Sequence, residues 1–570
     1  MRKVEDKINR ALGREPVDLL LKNARLVNVV SGEIYRTSLA AVDGRIVGFG
    51  DYESHRTVDL NGSYLAPSFI DGHIHIESSM LTVTEFARAV VPLGTGAVIA
   101  DPHEFANVLG MDGIRYVLEE REGLPLDVFV MLPSCVPATD LETSGARLSA
   151  YDLHLLVSEP RVVGVGEMMN YPGVLFGDKD ILNKLHVGRN KQIDGHAPGL
   201  SGKALNAYVL AGPRSDHECI GLEEAREKLR LGMHIHLREG SSEKNMAALL
   251  PLISPQNSRN FSFVTDDRHP ASLVSEGHID NNVRIAIAGG VDPVTAIQIA
   301  TINTARFYRL KNAGALLPRY WADMVVFDDL RDVRPRMVFK KGELVAENGK
   351  ALFQPHDIDH TYIRGTMNVQ WLYESTFAVP ARGSRIRIIQ MVPGQIVTRH
   401  IADDAKIVDG MAVSDTGRDI VKFAVIERHR AAKNAGLGFV RGFGIKKGAL
   451  ASSVAHDSHN LGVLGVNDAD MLKAAIRVIE LGGGQVVVAD GQVLAELALP
   501  VAGLVSDQSL EHVSQRVRDL DQAAKDVGCT LPDPFAALSF LPLVPIPELR
   551  LTDKGLVDAK EFKLIDLFVN

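Results

Sequence analysis

The central part of the chain alternates between short apolar runs and helix-like patterns from residue 68 to about residue 310. The apolar runs lie at 96–100, 127–132, 162–167, 192–196, 234–237 and 261–266. Apolar strands that alternate with helices are typical of parallel βα units, and the length of this region suits an eight-stranded barrel. We therefore predict an α/β fold whose core is a (β/α)8 TIM-like barrel at residues 67–318.

The two flanks of this region carry a different pattern, of short strands separated by turns. Such strands are predicted at 18–22, 24–30 and 43–49, with Asp43-Gly44 as a hairpin signal, and a related pattern returns at 322–327 and 335–345. A charged leader, predicted to be helical, precedes them. We expect one small β-sandwich domain built from both sides of the barrel, by residues 1–66 and 319–367.

A further region follows residue 368, with a mixed pattern of strands and helices. A helix is predicted at 468–481, and a triple glycine leads into a strand at 485–489. These glycines match neither a Walker loop nor a dinucleotide fingerprint, so they are interpreted as turns. Residues 368–570 are thus predicted to form an additional C-terminal α+β domain.

Composition narrows the class of protein. Of 570 residues, 46% are hydrophobic and 23% charged, which is typical of a globular chain. The net charge is −9 and Lys and Arg are scattered, so we expect no nucleic acid partner. Three cysteines without a Cys-x-x-Cys pair fit a reducing compartment. The charged N-terminus and the absence of an apolar run near ~20 residues predict no membrane partner and a cytoplasmic location.

Candidate chemistry lies at the ends of the predicted strands. His73 and His75 are two apart, so in a strand they project from the same face and can bind one divalent cation. Taken alone, the pair is equally compatible with two hydrogen-bonded core histidines. Comparable positions near the ends of later strands hold Glu167, His196, His217 and Asp266. Four imidazoles and two carboxylates suffice for two cations, with a carboxylate such as Glu167 bridging them.

Longer segments around these residues resemble a known family. The segments lie, in order, at 70–80, 101–104, 134–137, 166–169, 194–200, 217–218, 238–241 and 265–268, and in the tail at 455–460 and 500–504. They resemble the bacterial adenine deaminases of the amidohydrolase superfamily. The resemblance covers nearly the whole chain, and the tail segments favour this family over others of the superfamily.

The resemblance implies hydrolytic deamination of adenine, a small purine base, to hypoxanthine and ammonia. It implies a binuclear metal site that activates water, and we expect Mn, with Fe or Zn as alternatives. The metal ligands would be His73, His75, Glu167, His196, His217 and Asp266. Asp266 is the predicted proton acceptor that passes the water's proton to the leaving group. Glu104, Glu239 and Glu77 are candidates to protonate or hydrogen-bond the ring, and Arg238 and Ser241 to hold its edge.

Several alternatives stay open at this point. Another binuclear amidohydrolase reaction, on a cyclic amide or N-acyl substrate, would use the same metals, whereas a non-catalytic scaffold would require lost ligands and none is lost. His103 competes with His217 as a ligand, and the second His-x-His, at His234 and His236, is predicted to be scaffold. For His456 and His459 we favour a structural or site-closing role. A homodimer is the expected assembly.

Overall fold

The first 67 residues contribute one helix and five strands to a computed structural model that describes residues 2–120, 123–354 and 361–569. These elements are α1 (Arg2–Ala11), β1 (Val17–Asn28), β2 (Glu33–Val42), β3 (Arg45–Phe49), β4 (Ser54–Asp59) and β5 (Tyr64–Pro67). The predicted Asp43-Gly44 turn joins β2 to β3. The two strands predicted at 18–30 are one strand, because a register shift between Leu21 and Ala24 keeps β1 paired with β2 through a bulge.

Nine strand segments follow, each pairing parallel to its neighbours. They are β6 (Phe69–His75), β7 (Thr95–Ala100), β8 (Asp127–Leu132), β9 (Val162–Met168), β10 (Gln192–Gly195), β11 (Ser215–Asp216), β12 (His234–Arg238), β13 (Phe261–Val264) and β14 (Asp266–Asp267). One arc has the order β10-β9-β8-β7-β6-β14 and the other the order β11-β12-β13. The backbone N–H of Arg214, just before β11, donates to the carbonyl of Ile193 in β10 at 2.9 Å. The predicted α/β arrangement of parallel strands is confirmed.

Helices follow most of these strands, as the alternating pattern predicts. They are α2 (Val83–Val90), α3 (His103–Leu109), α4 (Met111–Glu120), α5 (Ala150–Leu156), α6 (Tyr171–Phe176), α7 (Lys179–Val187), α8 (Gly202–Ala211), α9 (Leu222–Arg230), α10 (Met246–Leu249), α11 (Pro270–Ser275), α12 (Ile279–Ala288), α13 (Pro293–Gln298) and α14 (Thr304–Phe307). Single 3₁₀ turns lie at Ile76–Ser79, Val91–Leu93, Leu250–Leu252, Ser258–Asn260, Thr361–Ile363 and Glu374–Phe377, and a π turn at Ile299–Asn303 joins α13 to α14.

The chain then returns to its first sheet. The strands involved are β15 (Met324–Phe327), β16 (Met337–Lys340), β17 (Glu343–Glu347) and β18 (Lys350–Ala351). Antiparallel pairing of β15 with β5 places Met324 opposite Pro67, so both flanks share a single nine-stranded sheet. Leu21, Leu26, Leu65 and Phe339 pack in one buried cluster on it. Burial of apolar side chains from both flanks therefore ties the two ends of the central region together.

The remaining strands and helices form the tail. They are β19 (Arg385–Met391), β20 (Thr398–Asp404), β21 (Lys406–Val408), β22 (Met411–Val413), β23 (Ile420–Ile426), β24 (Ala435–Arg441), β25 (Ala449–Ser452), β26 (Leu461–Gly465), α15 (Asp468–Glu480), β27 (Gly484–Ala489), β28 (Gln492–Ala498), α16 (Leu510–Asp526), α17 (Pro534–Phe540), β29 (Leu549–Thr552), β30 (Gly555–Asp558), β31 (Lys563–Ile565) and β32 (Phe568–Val569). The largest sheet has the order β20-β19-β24-β23-β26-β25-β27-β28. The helix predicted at 468–481 is α15, whose buried Met471, Ala474 and Val478 pack on this sheet.

The tail packs directly against the parallel-strand region. Arg88 of α2 lies 2.6 Å from the carboxylate of Glu511 in α16, and the Thr143 N–H donates to Asp553 at 2.8 Å. These contacts join positions that are hundreds of residues apart. Among the described residues, no helix is both long and apolar enough to cross a bilayer.

Candidate active site

The six predicted ligands lie at the carboxyl ends of the parallel strands. His73 and His75 end β6, Glu167 is the last but one residue of β9, and Asp266 begins β14. The other two, His196 and His217, directly follow β10 and β11. Five of the six are buried, while the His196 side chain is 20% exposed. Because parallel strands end at one edge, side chains from distant parts of the chain meet there.

Glu167 lies at the centre of this cluster, with imidazoles on both of its oxygens. Oε1 is 3.2 Å from His75 Nε2 and 3.9 Å from His73 Nε2. Oε2 is 2.6 Å from His196 Nδ1 and 3.3 Å from His217 Nε2. Asp266 Oδ1 joins the first group, at 3.1 Å from His75 Nε2. This division is what a carboxylate that bridges two cations requires.

The donor set fits divalent cations. Both ring nitrogens of His73 are buried without a hydrogen-bond partner among the described residues, which costs free energy unless a ligand engages them. His75 donates from Nδ1 to the Asp101 carbonyl at 2.9 Å, leaving Nε2 directed at Glu167 and Asp266. A metal-binding histidine commonly holds its second nitrogen on a backbone carbonyl in this way. His73, His75 and Asp266 would hold one cation, and His196 and His217 the other.

The charges within the cluster shift the pKa values of its members. Burial by itself would lower the pKa of His73, but the Asp194 and Asp266 carboxylates raise it to about 10. Burial opposes ionisation of Glu167, yet His196, His217 and His75 hold its pKa well below the usual range. The carboxylates are therefore ionised at neutral pH, as ligands must be.

Asp266 has a second partner beside the histidines. Its Oδ2 accepts a hydrogen bond from Arg238 Nη1 at 2.7 Å, and the same nitrogen also donates to Glu218. Against the effect of burial, Arg238 and then His73 and His75 hold the pKa of Asp266 well below its usual range. Asp266 is thus an ionised acceptor at the end of β14, oriented by a buried guanidinium.

The carboxylate of Asp101 packs closely against the backbone at Gly166 and Glu167. The Glu167 N–H donates to Asp101 Oδ2 at 2.9 Å. A Cβ at the preceding residue, Gly166, would lie only 2.0 Å from that oxygen. Only glycine leaves room for the Asp101 carboxylate here, so Gly166 is required for the position of Glu167.

Of the other predicted site residues, some line the cavity beside the ligand cluster or an adjoining cavity, and others line neither. Arg238 and Glu104 line the cavity beside the ligand cluster, whereas Glu77 lies on an adjoining cavity with Glu104. Glu239 is 3.2 Å from Lys244, and Ser241 donates to Ser272 at 2.8 Å. Neither Glu239 nor Ser241 lines the cluster's cavity as the structure describes it, so direct contact of these two with a ligand there is not supported.

The competing histidines take distinct places. His103 Nδ1 lies 3.6 Å from Glu167 Oε1, whereas His217 lies on Oε2, so the two do not occupy the same position. His234 and His236 are the first and third residues of β12, whose carboxyl end is Arg238. His234 Nε2 is 2.8 Å from Ser262 Oγ, and its ring stacks on Phe307 with centroids 4.4 Å apart. These contacts are those of packed scaffold.

The tail contributes one wall of the cavity. Facing the ligand cluster are seven tail residues, Ile396, His456, Asp457, Phe540, Leu543, Pro545 and Ile546. The cavity between the two walls has a volume of about 70 Å³. His456 and His459 both contact the carboxylate of Glu104, one on each oxygen. The tail therefore closes the site over the strand ends.

Three residues that sequence reasoning did not single out also belong to the site. Glu218 contacts Arg238, Asp194 Oδ2 lies 3.7 Å from His73 Nδ1, and Asp457 faces the cluster from the tail. Position offered a signal for two of them, since Glu218 directly follows His217 and Asp194 shares a strand end with His196. Asp457 lies in the resemblance segment 455–460, between His456 and His459, but its neighbours in the cavity come from another region of the chain.

Comparison with known proteins agrees with this geometry. The amidohydrolase family model matches residues 64–345, and the adenine deaminase C-terminal domain model matches residues 395–563. The chain is 48% identical to adenine deaminase 2 of Carboxydothermus hydrogenoformans and 49% identical to the adenine deaminase of Kosmotoga olearia, each alignment covering 99% of both chains. An adenine deaminase of Dehalococcoides mccartyi is 50% identical over 98% of both chains. The resemblance seen in the sequence is confirmed: the chain belongs to the adenine deaminase family of the amidohydrolases.

Proposed function

We propose that this protein hydrolyses adenine to hypoxanthine and ammonia. The observation that carries the proposal is the convergence of four histidines, His73, His75, His196 and His217, on the carboxylates of Glu167 and Asp266, in a cavity that the tail closes. Its full-length relatives are named adenine deaminases, which supports adenine over other substrates of metal-dependent amidohydrolases.

We further propose a pair of divalent cations, with Mn expected and Fe or Zn as alternatives. Such cations lower the pKa of bound water from about 15.7 toward about 7, which supplies a nucleophile at neutral pH. The residues that would hold them are His73, His75, Glu167, His196, His217 and Asp266.

Side chains of the protein would transfer the protons during the reaction. Asp266 accepts a proton from the attacking water and passes it to the amino group, which leaves C6 as ammonia. Arg238 keeps Asp266 ionised and oriented. Glu104 accepts hydrogen bonds from two tail histidines and its pKa is held well below its usual range, because His456, His459 and His103 outweigh burial. This favours Glu104 as an acceptor over the proton donor that the sequence suggested.

Glu77 is the better donor among the predicted carboxyl groups. Burial raises its pKa to about 7, so it holds a proton near neutral pH. Its Oε1 accepts from the Phe105 N–H at 3.1 Å, whereas Oε2 has no partner among the described residues. We propose that Glu77 supplies protons to the adjoining cavity, which Glu104 also lines.

We also propose a closed barrel, two flanking domains and an oligomeric state. The two parallel arcs would close a complete (β/α)8 barrel at residues 67–318, flanked by a β-sandwich domain of residues 1–66 and 319–367 and by an α+β domain of residues 368–570. The backbone contact between Ile193 and Arg214 supports closure of the barrel. We also propose a homodimer in the cytoplasm, for which sedimentation of the purified protein and cell fractionation are the measurements.

The activity is tested by ammonia release. The metal-free protein, reloaded with Mn²⁺, Fe²⁺ or Zn²⁺, should release ammonia and hypoxanthine from adenine. Glu167→Gln and Asp266→Asn should each lower kcat/KM by about 100-fold or more, since one removes the bridge between the cations and the other the proton acceptor. Glu223→Gln, at an 83%-exposed side chain on α9, is the matched control and should behave as wild type.

The outcome also separates the rival activity. Turnover of a cyclic amide or an N-acyl substrate without ammonia release from adenine would replace the deaminase proposal with another amidohydrolase reaction. Full activity of both Glu167→Gln and Asp266→Asn would contradict the assigned roles.

A further inference from the structure

Asp457, in the tail, carries an unsatisfied oxygen in the cavity opposite the metal-binding cluster. The residue is only 4% exposed, and its Oδ2 has no hydrogen-bond partner among the described residues. A buried carboxylate oxygen without a partner is costly, so it is expected to meet a donor when the site is filled. Nothing in the metal-binding geometry uses this side chain.

Other carboxylates on the cavity wall are already engaged. Outside the six predicted ligands, Glu218 and Glu243 face Arg238, Asp267 accepts from Ser78, and Glu104 accepts from the two tail histidines. Among these described cavity carboxylates, Asp457 alone has an oxygen that is both fully buried and without a hydrogen-bond partner. It is therefore the available acceptor on this wall.

The position of Asp457 is tightly held. His456 and His459, on either side of it in sequence, both contact Glu104. The His456 N–H donates to the Ser539 carbonyl at 2.9 Å, and the His456 ring stacks on Phe540 with centroids 4.8 Å apart. Its own Oδ1 lies 4.0 Å from His103 Nε2. A carboxylate held at both sides loses little conformational entropy when it binds a ligand.

The shape of a purine matches this arrangement. C6, the reacting carbon, belongs to the six-membered ring and must face Glu167 and Asp266. We place the five-membered ring of such a base on the tail wall, which is lined by the apolar Leu543, Pro545 and Ile546 and by the carboxylate of Asp457. The five-membered ring of a free purine base carries one N–H, on N9 or N7, which an ionised carboxylate accepts strongly.

Resting on the proposed function, we propose that Asp457 is a specificity-determining residue that accepts the N–H of the five-membered ring of the purine base. The tail domain thereby takes part in choosing the substrate, and a substituent on the recognised nitrogen removes the donor. Asp457 touches the substrate away from the bond that breaks, so it acts on binding more than on chemistry.

The test compares adenine with 9-methyladenine and 7-methyladenine, neither of which has an N–H on its five-membered ring. In wild type, both methyl isomers should have a kcat/KM at least tenfold below that of adenine. Asp457→Ala should raise KM for adenine about 10- to 100-fold with unchanged metal content, and Asp457→Asn should raise it less. The ratio of kcat/KM for adenine to that for either methyl isomer should drop at least tenfold in Asp457→Ala, because the methyl isomers never make the contact.

The control is Asp470→Ala, at a buried carboxylate of the same domain that accepts a hydrogen bond from the Gly491 N–H away from the cavity, and its ratio should equal that of wild type. An unchanged ratio in Asp457→Ala, with normal turnover of adenine by wild type, overturns this inference alone. No ammonia from adenine in wild type contradicts the proposed function as well.

A measurement on wild type covers the case in which Asp457→Ala does not fold. Hypoxanthine should inhibit more strongly than at least one of its 7-methyl and 9-methyl derivatives. Equal inhibition by all three would overturn the proposal.

Discussion

Two His-x-His pairs, identical in spacing and both on parallel strands, have opposite surroundings in this protein. His73 and His75 close β6, whereas His234 and His236 open β12. The first pair therefore lies at the carboxyl edge with Glu167 and Asp266, and the second lies near the amino edge, against Ser262 and Phe307. The place of a pair within its strand, not its spacing, decides whether it can bind metal.

The pKa values of histidines in the two pairs are shifted in opposite directions. The pKa of His73 rises to about 10 despite burial, because Asp194 and Asp266 face it. The pKa of His234 falls well below its usual value, because burial and the neighbouring His236 both oppose its charge. Carboxylates at one edge thus make a site for cations, and their scarcity at the other keeps an imidazole neutral.

Asp194 is the one described carboxylate that faces both pairs. Its Oδ2 lies 3.7 Å from His73 Nδ1, and its Oδ1 lies 3.9 Å from His236 Nε2. Tyr308 and Ser215 each donate to it, at 2.8 and 2.7 Å. The scaffold pair therefore supports the metal-binding pair through a shared partner, which is a role that spacing alone does not reveal.

The largest effect expected is from a matched pair of substitutions. His75→Asn should lower kcat/KM for adenine at least about 1,000-fold and reduce bound metal, since it removes a ligand of one cation. His234→Asn, the same change at the second pair, should retain two metals per chain and lose less than about tenfold in activity. Metal analysis beside ammonia release measures both. Equal losses of activity and metal in the two variants would contradict the different roles assigned to the two His-x-His pairs.

An intermediate effect is expected at the carboxylate between the pairs. Asp194→Asn should weaken metal binding about 10- to 100-fold while leaving the protein folded, because His73 loses the negative charge that lies 3.7 Å from its Nδ1. The midpoint of a chelator titration, followed by activity, measures this affinity. Asp470→Asn, at a buried carboxylate that accepts from the Gly491 N–H, is the control and should keep the wild-type midpoint. A wild-type midpoint for Asp194→Asn as well would show that His73 needs no such support.

The smallest effect expected is on acid stability. Burial and the neighbouring His236 hold the pKa of His234 in the folded protein well below the ordinary imidazole value of about 6.5, so its neutral form contributes stability that is present above about pH 6.5 and lost as the pH falls below it. His234→Asn should therefore lose less Tm than wild type between pH 7.5 and pH 5. His55→Asn, at an exposed histidine, should follow wild type. If the Tm of His234→Asn falls between pH 7.5 and pH 5 as steeply as that of wild type, His234 is not neutral in the folded protein.

The sequence by itself determined the alternation of strands and helices, the shared pattern of the two flanks and the six candidate ligands. These follow from local rules: apolar runs bury strands, and side chains two apart share a face. The tertiary structure decided that Arg238 orients Asp266 and that Glu239 and Ser241 do not line the cavity. It also brought Glu104 to His456 and His459, and Asp457 to the cavity wall. Such pairings join positions more than three hundred residues apart, and they depend on how whole domains pack, which no local periodicity encodes.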